Sequence, residues 1–167
     1  YGGPNPAEDN TPTSDNGVLG NDLTPGNGGD YNASIAETQW ITSPVIDCAD
    51  YIGVSLRFYR WLGVEQNQYD HAYLEAFDGT DWIPLFENGS SHIDEDSWNL
   101  LEYNLNNIAD GNADFQLRFG IGPTDGSWQY CGWNIDDLEI RGYSCTGSSS
   151  PVASVGMIPD NPPVTVP

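Results

Sequence analysis

Carboxylates dominate the reactive groups of this chain. Its 25 acidic residues face four basic ones (Arg57, Arg60, Arg118 and Arg141, with no lysine) and two histidines, for a formal charge of −21 over 167 residues. Carboxylates in such numbers can work as paired acid and base, ligate a hard cation, or simply solvate a surface. Asn21-Asp22, Asp30 and the adjacent Asp136-Asp137 are the groupings that stand out, while Asp70 and Glu75 add two acids to one strand with no spacing that singles them out. Other chemistry lacks parts. His71 and His92 sit in no His-Glu-x-x-His pattern, and no Gly-x-Ser-x-Gly elbow occurs. Cys131 follows Trp128 and Tyr130 without a basic neighbour to lower its pKa. Aromatic residues offer a binding chemistry instead, since exposed Trp and Tyr stack on sugar rings while nearby polar groups take the hydroxyls. Arg57, Tyr59 and Trp61 share one strand face, and Trp128-Gln129-Tyr130 form a dense loop. Trp40, Trp82, Trp98 and Trp133 are expected in the core, whereas Trp61 and Trp128 fit either a platform or the core.

Composition narrows the partners. Nucleic acid and anionic membranes are held chiefly by Lys and Arg, so a chain with four cations suits neither. No run of about 18 apolar residues offers itself to a bilayer. Twenty aromatic residues and 38% hydrophobic content are too many for wholly disordered acidic chain. Three cysteines without a Cys-x-x-Cys pair fit one disulfide plus one thiol in an extracellular protein, or three thiols in a reducing one. The chain opens on Tyr1 with no visible signal peptide, which reads as a processed or excised fragment.

The elements that must position these groups have a period of two. Strands are expected over residues 38–46, 53–62, 69–77, 82–87, 98–105, 115–121 and 132–142, with Asp78-Gly79-Thr80-Asp81 as a hairpin turn. In one, Val54, Leu56 and Phe58 alternate with Ser55, Arg57 and Tyr59; in another, Phe115, Leu117, Phe119 and Ile121 point inward. Seven strands without a convincing helix predict an all-β, antiparallel two-layer sandwich over about residues 30–145. Residues 1–29, rich in Pro, Gly and Asn, read as a linker or ordered N-terminal loop, and 146–167 as a Pro/Ser-rich tail.

Several runs together carry a family resemblance: Cys131-Gly132-Trp133-Asn134-Ile135-Asp136-Asp137, Thr42-Ser43-Pro44-Val45-Ile46-Asp47, Phe77-Asp78-Gly79-Thr80-Asp81-Trp82, Asp96-Ser97-Trp98 and Phe115-Gln116-Leu117-Arg118-Phe119. In this order they resemble the MAM-like jelly rolls of bacterial secreted proteins, including the adhesin modules of gingipains. The resemblance, over residues 30–145, implies an all-β, antiparallel two-sheet jelly-roll sandwich, a non-catalytic, extracellular module appended to a larger protein, often stabilised by Ca2+. It implies metal ligands at Asp30 and Asp137, then Asp22 and Asp136, and a Cys48–Cys131 disulfide. A second likeness, of Asn134-Ile135-Asp136-Asp137-Leu138-Glu139 to the catalytic strand of laminarinase-type glycosidases, places an amide where that chemistry needs a nucleophilic carboxylate. The expected function is therefore binding of a glycan or surface polymer. Trp61, Tyr59, Arg57, Trp128 and Tyr130 would contact the ligand. The alternatives are an assembly unit whose tails pack on neighbouring protein subunits, with Val152–Ile158 as a donor strand, or an inert spacer beside a protease.

Overall fold

The computed structural model describes residues 5–11, 17–23 and 29–145, and the backbone of a strand at 152–156. Ten strands and one helical turn follow in order: β1 (Leu19–Gly20), β2 (Gln39–Thr42), β3 (Tyr51–Val64), β4 (Ala72–Phe77), β5 (Trp82–Glu87), β6 (Ile93–Asp94), β7 (Asn99–Asn104), α1 (Asn106–Ala109), β8 (Gln116–Ile121), β9 (Gly132–Ser144) and β10 (Val152–Gly156). All pairings are antiparallel. The larger sheet runs β1-β9-β3-β6, with β7 also on β3 and β10 also on β9; the smaller runs β2-β8-β4-β5. This is the two-sheet sandwich that the alternating pattern predicts. The seven expected strands correspond to β2, β3, β4, β5, β7, β8 and β9. The two-residue strands β1 and β6 and the single turn α1 are too short to leave a periodic trace.

Alternation explains the core. Val54, Leu56 and Phe58 of β3 are buried between the sheets, as are Leu74 of β4 and Leu117 and Phe119 of β8. Phe119 meets Phe58 edge-on at 5.5 Å and Trp133 at 5.2 Å, locking one sheet to the other. Each such side chain contributes about 1.5–3 kcal/mol relative to exposure. The Asp78–Asp81 turn closes by a 3.0 Å bond from Asp78 N–H to the Asp81 carbonyl. The Asp78 carboxylate accepts from Thr80 and Asp81 N–H, which holds its pKa below the ordinary value, and Gly79 takes φ +98°.

Two expectations change. Of the four tryptophans expected in the core, Trp133 alone is buried. Trp40 and Trp82 lie on the outer face of the smaller sheet, flanking the Arg118 guanidinium at 4.0 and 4.1 Å, and Trp98 sits half-buried against Trp61. The strand parity that turns Leu117 and Phe119 inward turns Arg118 outward, and the indoles cover it. The Cys48–Cys131 disulfide is also absent, both thiols being free. Tyr51 N–H bonds to the Cys48 carbonyl at the start of β3, whereas Cys131 packs where a Cβ on Gly63 would meet its sulfur at 2.8 Å. The length of β3, about 3.3 Å per residue, separates the two, far beyond the roughly 7 Å Cα limit of a disulfide. Cys145, whose N–H bonds to the Asp50 carbonyl, is the cysteine at the Cys48 end.

Candidate functional site

The C-terminal end of β3 runs directly into the loop 65–70, which carries Glu65 and Asp70. Asn88, itself 1% exposed, staples this loop by donating to the carbonyls of Glu65 (2.7 Å) and Asp70 (2.9 Å) while accepting from Ala72 N–H. Tyr69 and Asp70 N–H groups return to the Gln66 carbonyl. A second loop, 122–130, arrives from β8. Its Thr124 hydroxyl bonds to the Ala33 carbonyl and accepts from Ile35 N–H, both at 2.7 Å, and Gln129 donates to the Tyr31 carbonyl. Three loops are thus held together by side chains that satisfy each other's backbone, a preformed arrangement rather than a collapsed one.

Three carboxylates meet there. Glu65, Asp70 and Asp125 bring oxygens within 4.8 Å of one another, the one acidic, His or Cys cluster of this kind among the described residues. Asp70 is fully buried; one oxygen accepts the Tyr31 hydroxyl and the other the Asp125 N–H at 3.1 Å. Asp125 is exposed and accepts from Ser127 N–H and hydroxyl. Glu65 is 9% exposed, and its Oε2 is buried with no hydrogen-bond partner. Burial pushes the Glu65 carboxyl above its ordinary pKa, the charges of Asp70 and Asp125 push the same way, and His92 opposes them. The Tyr31 hydroxyl is likewise raised, first by burial and then by Asp70.

No arginine reaches this cluster, because all four are engaged elsewhere, and His92 is the one basic side chain beside it. Arg57 pairs with Glu102 and Glu139, Arg60 with Glu95, Arg118 with Glu75 and Arg141 with Glu139. Beside the carboxylates opens a cleft of about 610 Å³, lined by Glu65, Tyr69, His92, Asp125, Trp128 and Tyr130. Trp128 stands 51% exposed at its rim, and Tyr130 forms a buried wall with His92 stacked on it at 6.3 Å.

The residues singled out in the sequence divide between this cleft and a covered face. Trp128 and Tyr130 line the cleft. Arg57, Tyr59 and Trp61 lie on the outer face of the larger sheet, where Arg57 is tied to two glutamates and Trp61 meets Trp98 edge-on at 6.0 Å. The N-terminal segment crosses that face: the Trp98 indole donates to the Glu8 carbonyl, and Asn134 to the Asn5 side chain. Asp136 and Asp137 secure the same segment. Asp136 accepts from Asn10 N–H at 2.7 Å, and Asp137 from the Asn10 amide (2.9 Å) and the Thr11 hydroxyl (2.6 Å). Asp137 takes φ +49° where β9 bulges opposite β3, a conformation that Asp tolerates better than most residues. Asp22 and Asp30 flank the Asn21 and Tyr31 contacts to Trp133 and Tyr130, and the four acids do not gather as a ligand set.

Glu65 and Asp125 carry no signal in the sequence, and Asp70 none that distinguishes it from Glu75. They are 5 and 55 residues apart, and the crossing from β3 to β4 and the β8–β9 connection bring them together. The nearest hint is compositional, three acids in or beside Gly-, Asn- and Ser-containing loops. No known family model matches the chain, and no curated protein is similar to it.

Proposed function

We propose that this chain is a non-catalytic, extracellular binding module of a larger secreted protein, in the manner of the MAM-like jelly rolls, with calcium support. Its ligand is a neutral glycan or similar uncharged, hydroxyl-rich surface polymer. The observation that carries this reading is the Trp128 cleft, where a half-exposed indole and Tyr69 stand beside carboxylate, imidazole and hydroxyl groups on loops already held in place. An aromatic face supplies stacking and the polar rim supplies hydroxyl partners. A polyanion is disfavoured by the net charge of −21. Burial supports the non-catalytic part: hydrolysis needs two carboxylates flanking the substrate, whereas Asp70 is enclosed and Glu65 nearly so, leaving Asp125 accessible.

A neutral-glycan array tests this with two variants. Trp128→Ala is expected to abolish binding with the melting temperature unchanged, and Trp61→Ala to lower the melting temperature by several degrees while the remaining folded protein still binds. Binding that survives Trp128→Ala but disappears with Trp61→Ala at unchanged stability sinks the cleft as the ligand site.

A further inference from the structure

We infer that Glu65, Asp70 and Asp125 form a binding site for a hard divalent cation of the calcium class, set in the floor of the Trp128 cleft and distinct from Asp22, Asp30, Asp136 and Asp137. The inference rests on the calcium support of the proposed function and gives it residues; the site itself needs no glycan.

Two independent observations point to it. Carboxylate oxygens from two loops converge within 4.8 Å, which places three formal charges in a space that repels them. On one of these three carboxylates, Glu65 Oε2 is buried and lacks a partner, although a buried polar atom is costly to leave unpaired. The rest of the molecule shows how this protein normally treats an enclosed acid. Glu95 is bound by Arg60 at 2.6 Å and by Leu62 N–H, Glu75 by Arg118 at 2.5 Å, and Asp110 by two backbone N–H groups. Nothing comparable serves Glu65. With no lysine in the chain and every arginine paired elsewhere, His92 is the one basic side chain beside the cluster, and one imidazole cannot balance three carboxylates.

Donor chemistry selects the ion. Every acidic ligand is a carboxylate oxygen, and Gln66 and Ser127 add neutral oxygens at the cleft wall, a set that suits calcium or magnesium over softer metals. Asp70 is oriented by the Tyr31 hydroxyl and the Asp125 N–H, Asp125 by Ser127, and the Glu65–Asp70 loop by Asn88; outer partners of this kind hold ligands in place. The Asp125 side chain gives the site an exposed face toward the cleft. A cation there would join the 65–70 loop to the 122–130 loop.

The test uses the full chain, stripped with chelator, and the metal alone. Titration with Ca2+ by calorimetry, and with Tb3+ by luminescence excited through the neighbouring tryptophan, is expected to show one saturable site. Saturating calcium should raise the melting temperature by several degrees, since an ion that binds only the folded chain stabilises it. Asp125→Asn, an exposed change that keeps the acceptor for Ser127, should weaken Ca2+ at least tenfold. Glu65→Gln should do the same, and Asp137→Asn should leave the affinity intact. The site is overturned if neither metal binds saturably, if Asp125→Asn and Glu65→Gln keep the parental affinity in folded protein, or if Asp137→Asn abolishes binding instead. Tighter Zn2+ binding that disappears with His92→Ala would overturn the hard-cation assignment. Metal binding that persists when no glycan binds sinks the proposed ligand and leaves this site standing.

Discussion

The two ends of β3 bear acids treated in opposite ways. At its start Asp110, following α1, accepts from Gly53 N–H at 2.9 Å and Val54 N–H at 2.8 Å, so one carboxylate closes the turn with the protein's own donors. At its far end Glu65, Asp70 and Asp125 crowd together, and one Glu65 oxygen finds no donor. The first arrangement is complete as it stands. The second is complete only with something brought from outside, a proton or an ion. Proximity of acids therefore says little about function until the donors facing them are counted. Asp136 and Asp137 make the same point, since their adjacency serves to fasten residues 10 and 11.

The largest expected effect falls at the closed end. Asp110→Ala removes two charge-assisted bonds and leaves two N–H groups at the head of β3 unpaired, and should cost about 2–4 kcal/mol in urea unfolding, with or without calcium. A calcium-dependent loss at Asp110 would erase the contrast between the ends. Next comes the latch. Asp136→Ala should cost about 1–3 kcal/mol, because the buried carboxylate accepts from both Asn10 and Asp137 N–H, and limited proteolysis should then cut the N-terminal segment first. At the open end, Asp125→Asn in metal-free protein should be neutral or stabilising by up to about 0.5 kcal/mol, since it relieves repulsion. A loss above about 2 kcal/mol would mean that the cluster is structural without any ion.

The thiols sharpen the comparison with smaller effects. Burial, aided by Asp47 and Asp110, pushes the Cys48 thiol up to about 11; burial, aided by Asp94 and Asp30, pushes Cys131 up to about 12. Both folded pKa values exceed the ordinary 9.0, so the folded state holds these protons longer than the unfolded one. Their effect on stability is flat below pH 9 and unfavourable as pH rises from there toward 11–12. Cys48→Ala with Cys131→Ala should flatten that alkaline decline in a pH series of melts. At pH 8 a maleimide should label exposed Cys145 alone until the protein unfolds. Peptide mapping without reductant should yield no Cys48–Cys131 link, and its appearance would contradict the register of β3.

Strand identity was legible because a half-buried strand must alternate. Ala72, Leu74 and Ala76 against Tyr73, Glu75 and Phe77 leave no other period, and Asp78-Gly79 marks the turn where the chain reverses. Composition likewise settled that cations would be scarce, and hence that any enclosed acid would compete for four arginines. What alternation does not carry is which layer a face meets. Trp40 and Trp82 read as core but cover Arg118 on the outside, because parity assigns a side chain to a face and only sheet packing says whether that face is inner or outer. Trp61 has the pattern of a platform, yet the N-terminal segment crosses its face by contacts more than a hundred residues apart in the chain, such as Asn10 to Asp136. The Glu65–Asp70–Asp125 cluster belongs wholly to tertiary structure. Its members come from two inter-strand loops, where no periodicity operates, and their meeting depends on β4 and β8 pairing in the sheet opposite β3.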